Sequence, residues 1–142
     1  MFNKILVAYD GSEGGKLALG KAEEIAQAAN ADLHLLAVGR IPEYAETVSE
    51  VEEEKEQAQN YYSKIVDDAT NQLKQQGLSV TPHIAFGKPA ETILKIAEEL
   101  NVDVIVLGTH PHAPARRRFL GATVDKVIDH AHCSVLVIRK PE

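Results

Sequence analysis

The 142-residue sequence predicts an α/β protein with three layers: an open, parallel, five-stranded sheet in the order 3-2-1-4-5, with helices on both faces. Three observations predict it. Five short apolar runs alternate with four stretches of helical periodicity, and the connections are short, as repeated strand, helix, strand units require. The run Val104-Ile105-Val106-Leu107 is unbroken and rich in β-branched residues, which suits a strand covered on both faces. Pro82 interrupts a less hydrophobic run; a proline removes a ladder donor, so that strand belongs at a sheet edge.

Each element follows from its residues. Lys4 to Tyr9 reads as the first strand and Asp10-Gly11-Ser12 as the turn after it, with Ser12 able to cap the next helix. That helix carries Ala18, Ala22, Ile25, Ala26 and Ala29 on one face, small enough to lie close to a sheet. Asp32 to Val38 is the second strand, and Gly39-Arg40-Ile41-Pro42 breaks it. The glutamate-rich stretch from 43 to 57 reads as a solvated face and helix start, where carboxylates are favoured. Tyr62, Ile65, Ala69 and Leu73 then keep helical spacing up to Gly77, a natural stop. Leu78 to Phe86 is the third strand. Gly87-Lys88-Pro89 opens a third helix that buries Ile93, Ile96, Ala97 and Leu100. After the fourth strand, Gly108 lets the backbone turn and a loop follows. A fourth helix begins near Gly121, with Val124, Val127, Ile128 and Ala131 at i, i+3, i+4 and i+7. Ser134 to Arg139 is the fifth strand. With no Gly/Ser linker and no repeat, a single domain over 1–142 is expected.

Composition narrows the function classes. A net charge of -6 opposes general binding to nucleic acid or anionic membranes, so any phosphate site must be local. The lone Cys133 permits no internal disulfide and fits a reducing compartment. The apolar run after Lys4 is too short for a signal-peptide core or a membrane span. The expectation is a cytoplasmic protein with no nucleic-acid or membrane partner.

In sheets of this kind ligands sit beyond the carboxyl ends of the strands, where strand order reverses. With the first and fourth strands as central neighbours, that crevice lies between Tyr9-Asp10 and Gly108. Two nucleotide fingerprints are missing there: G-x-x-x-x-G-K-[ST], and G-x-G-x-x-G after the first strand. A nucleophile elbow, G-x-S-x-G, is missing too. The helix start near Gly121 nevertheless exposes N–H groups that attract anions. Beside it, Arg116, Arg117 and Arg118 form the dense basic patch of an acidic chain, suited to bidentate phosphate contacts.

The opening KILVAYDGSE, the second-strand ending LLAV, the segment GKPAETILKIAEELNVDVIVLGTH and the tail LGATVDKVIDHAHCSVLVIRKPE together resemble the universal stress protein family over essentially the whole chain. The resemblance implies a Rossmann-like fold of the adenine nucleotide alpha hydrolase type. It implies ATP or another adenine nucleotide as ligand, magnesium as a companion ion, and at most slow ATP hydrolysis or autophosphorylation. It also implies a homodimer through the last strand, Ser134 to Arg139. Asp10 and Val38 would meet the adenine and ribose. The candidate nucleotide-binding set is Ala8, Tyr9, Asp10, Ser12, Val38, Gly108, Thr109, Arg117, Gly121, Ala122 and Thr123.

The family's nucleotide-binding branch carries G-x-x-G, nine residues, then G-[ST]. Gly108 and Gly121 match it, but Pro111 replaces the middle glycine and Ala122 the hydroxyl residue. Proline offers no N–H, and alanine cannot hold a terminal phosphate or an ion; Thr123 stands one residue late. Each hydrogen bond lost to a charged group is worth about 1.5–3 kcal/mol. Two readings stay open: a nucleotide-binding dimer with altered phosphate contacts, or an interaction protein acting through its dimer surface and the arginine loop.

The histidines are weighed for metal. His110 and His112 follow the fourth strand, whereas His130, His132 and Cys133 precede the fifth, so a parallel sheet sets them on opposite rims, roughly 17–20 Å apart. Each group alone supplies too few ligands for a closed site, and no metal site is expected. His34 and His83 fall within strands as polar-face or packed residues.

Overall fold

The computed structural model describes residues 2–39, 47–109 and 122–139. Strand and helix alternate through them: β1 (Lys4–Ala8), α1 (Glu13–Ala29), β2 (Asp32–Gly39), α2 (Val48–Gln75), β3 (Val80–Phe86), α3 (Pro89–Leu100), β4 (Val104–Gly108), α4 (Ala122–His130) and β5 (Ser134–Ile138). The sheet runs β3-β2-β1-β4-β5 and each neighbouring pair is parallel. This is the predicted order, and Pro82 lies on the edge strand β3 as its missing N–H demands.

Strand side chains alternate between two apolar layers. Ile5, Val7, Leu33, Leu35, Val104 and Val106 meet Ala18, Ala22 and Ala26 of α1 and Val66, Ala69 and Leu73 of α2. On the other face Leu6, Leu36, Ile105 and Leu107 meet Ala90, Ile93 and Ala97 of α3 and Val124 and Val127 of α4. The central strands are therefore buried from both sides, which explains their continuous apolar runs.

Local chemistry sets the helix ends. Ser12 caps α1, its hydroxyl accepting the Gly15 N–H at 3.1 Å, and Thr47 caps α2 by accepting the Glu50 N–H at 3.1 Å. Asn30 and Asn101 end α1 and α3 in the left-handed conformation that asparagine tolerates. Ile128 departs from the expectation: it is 46% exposed, although its spacing put it on the buried face. The short α4 packs on α3 and β5, at the end of the sheet, and among the described residues no element lies beyond to cover that flank. Among the described residues no helix is long and apolar enough to cross a membrane.

Candidate functional site

Because every strand runs the same way, the turns after β1, β2, β3 and β4 gather at one rim, and the helices that follow start there. The turn after β1 is tied by its own side chains: Asp10 Oδ1 accepts the Ser12 N–H at 2.9 Å while Ser12 caps α1. Tyr9 donates its N–H to the Leu36 carbonyl at 2.8 Å, fastening the same turn to β2. Burial, then the neighbouring Asp10 and Asp68, push the Tyr9 hydroxyl above its ordinary pKa, so it keeps its proton.

The two distant turns meet through backbone alone. A Cβ on Gly14 would collide with the Thr109 carbonyl oxygen, and one on Gly108 with the Gly14 carbonyl oxygen. Only glycine at both positions lets the start of α1 close against the end of β4.

Beyond that contact lies a cavity of about 640 Å³. Nine of the eleven sequence candidates line it: Ala8, Tyr9, Asp10, Ser12, Val38, Gly108, Thr109, Ala122 and Thr123. The other two, Arg117 and Gly121, lie outside the described residues, as do Pro111, Arg116, Arg118 and the His110 and His112 pair. First-turn residues of three helices border the hollow: Gly14 and Gly15 of α1, Pro89 of α3, and Ala122 to Val124 of α4. Their dipoles point positive ends toward it, which favours an anionic group. Leu36, Ile93, Leu107 and Val124 make the floor apolar.

Sequence reasoning missed the wall supplied by α2. Ala58 and Tyr62 line the cavity from that helix. Their i, i+4 spacing is visible in the sequence, but such a pair reads equally as core packing until the sheet places α2 beside the rim.

A second hollow, of about 700 Å³, lies toward the opposite rim between α3 and α4, with His130, His132 and Cys133 along it. Burial and the charge of Asp103 push the Cys133 thiol up, away from the reactive thiolate. Among the described residues no group of three or more His, Cys, Asp or Glu side chains converges on one point.

The sequence profile of the Universal stress protein family matches residues 1–139. The chain belongs to the universal stress protein family. A Bacillus subtilis universal stress protein, YxiE, is 32% identical, over 98% of this chain and all of the relative. Among solved structures, a universal stress protein from Methanocaldococcus jannaschii superposes with a TM-score of 0.87 at 27% identity, covering 100% of this chain and 99% of that one. Two further universal stress proteins share the fold at lower identity. One, solved with cAMP, has TM-score 0.75 and 21% identity, over 97% of each chain. The other, from Archaeoglobus fulgidus and solved with dAMP, has TM-score 0.68 and 22% identity, over 96% of this chain and 97% of that one.

Proposed function

We propose that this universal stress protein binds an adenine nucleotide in the cavity beyond β1 and β4. The observation that carries the reading is the convergence of Asp10, Val38, Gly108, Thr109 and the first turn of α4 on one hollow of about 640 Å³. That volume falls in the range of small-ligand pockets, roughly 300–1,000 Å³, and combines an apolar floor with a few convergent polar groups. The base lies over Leu36 and Val38, Asp10 accepts from the ribose hydroxyls, and the phosphates face the N–H groups at the start of α4. Two relatives of this fold were solved with adenine nucleotides, which supports the class of ligand.

Ala122 lines the phosphate end without a hydroxyl, and Thr123 beside it supplies one. This arrangement favours a nucleotide held chiefly through base and ribose, with magnesium and the terminal phosphates contributing less than in the glycine-serine pattern. The proposal includes a homodimer joined through β5, whose Val135 to Ile138 are half-buried on both faces at the sheet edge.

Calorimetric titration with AMP, ADP and ATP, each with and without magnesium, tests the reading. Saturable binding of at least one nucleotide is expected, weakened by Asp10→Ala and strengthened for ATP by Ala122→Ser. Absence of heat with all three would leave the interaction-protein reading, in which the dimer and the arginine loop carry function.

A further inference from the structure

The side chains of His34 and His83 lie outside the rim cavity. The register pairs His34 with Thr81 and Leu36 with His83, so the two imidazoles are diagonal neighbours on β2 and the edge strand β3. His34 Nδ1 lies 2.9 Å from His83 Nε2, with ring centroids 5.1 Å apart and planes inclined by 33°. Both side chains are half-buried, so the pair is held in place yet open to water.

We propose that His34 and His83 form a two-histidine site for a divalent transition-metal ion of the copper(II) or nickel(II) type. Imidazole nitrogens bind such ions at about 2.0–2.1 Å, so two of them subtending a right angle at one ion stand about 2.9 Å apart, and about 3.3 Å apart at a tetrahedral angle. That 2.9 Å spacing is the length of the hydrogen bond the two rings share, and it is also the bite that the right angle of tetragonal coordination, adopted by copper(II) and nickel(II), requires. Water completes the coordination from the open side.

In the metal-free chain one ring N–H lies between the two nitrogens. On binding, that ring carries its proton on its other nitrogen instead, both lone pairs turn to the ion, and no net proton is released. Burial holds both imidazoles below the ordinary histidine pKa. Asp32, two residues before His34 on the same face, attracts a cation there; Lys4, on the neighbouring strand, opposes it. The site would cross-link the sheet at its β3 edge.

Copper(II) chloride titrated into the untagged, full-length chain tests this, followed by visible absorption and electron paramagnetic resonance. One tight equivalent with nitrogen hyperfine structure is expected. His34→Gln and His83→Gln should each weaken it by at least about tenfold, or about 1.4 kcal/mol, with unchanged circular dichroism. A variant with His110, His112, His130 and His132 all changed to Gln should keep it. No binding by the wild type, an unchanged equivalent in either single variant, or its loss in the fourfold variant would each overturn the assignment.

Discussion

Asp103 shows how one side chain secures the start of the sheet. Its Oδ2 accepts the N–H groups of Asn3 at 2.7 Å and Lys4 at 2.8 Å, and its own N–H donates to the Lys4 carbonyl at 2.9 Å. The hydrogen bonds from Lys4 and then Asn3 hold its carboxyl below the ordinary value of 3.8. A folded-state pKa below the unfolded one gives stability that is full above the unfolded value and is lost as pH falls through the folded one. Asp103→Asn keeps an acceptor but cannot titrate. The stability gap between wild type and this variant should therefore be widest above about pH 5 and shrink as the wild-type carboxyl protonates. Thermal denaturation across that range checks it, and a gap independent of pH would contradict the assignment. The glycines of α1 supply a second residue-scale test. Gly14→Ala drives a methyl into the Thr109 carbonyl and should cost roughly 1–3 kcal/mol, as overpacking does. Gly20→Ala, on the same helix with no described atom beyond its chain neighbours and its own helix backbone within 4 Å of the added carbon, should gain about 0.5–1 kcal/mol. In the sequence the two glycines look alike; their opposite signs come from what lies across from them. Urea denaturation of both variants measures the contrast.

At the scale of elements, α2 and β5 carry the open questions. Thr70 is 4% exposed within α2, and among the described residues its hydroxyl has no hydrogen-bond partner. Thr70→Val removes that orphan at nearly constant volume and should raise stability by about 1 kcal/mol, because a buried hydroxyl without a partner is costly. A lower denaturation midpoint would show that the hydroxyl is satisfied after all. Among the described residues no strand pairs with the outer side of β5, which bears half-buried valines, leucine and isoleucine. Sedimentation should find a dimer, and Val137→Lys, a charge of the kind that blocks edge pairing, should shift it toward monomer while circular dichroism stays unchanged. Most element boundaries were legible because a central parallel strand and an amphipathic helix have distinct periods. Arg139, read as a strand end, falls just outside β5 because its partner β4 stops at Gly108, whereas Tyr9 falls just outside β1 although β2 runs on to Gly39. Ile128 was misplaced because spacing reveals a helical stripe but not how far the neighbouring elements extend to cover it.

For the whole molecule, a ligand bound only by the folded chain stabilises it by about 2.7 kcal/mol at a hundredfold excess over its dissociation constant. Under the nucleotide proposal, excess AMP or ATP should raise the melting temperature, and Asp10→Ala should shrink that rise, measured from the variant's own unliganded melting temperature, which loss of the Ser12 N–H contact lowers. An equal rise in Asp10→Ala would move the ligand elsewhere. The sequence by itself determined the alternation of strands and helices and the edge position of β3, since apolar period, proline and glycine act through the local backbone, while its resemblance to the universal stress protein family supplied the nine described candidates that border the rim cavity. Tertiary structure alone decided that Ala58 and Tyr62 wall the cavity, that Gly14 must be bare for α1 to reach β4, and that His34 faces His83. Those are contacts between segments far apart in the chain, and register and packing, which no local pattern encodes, set them.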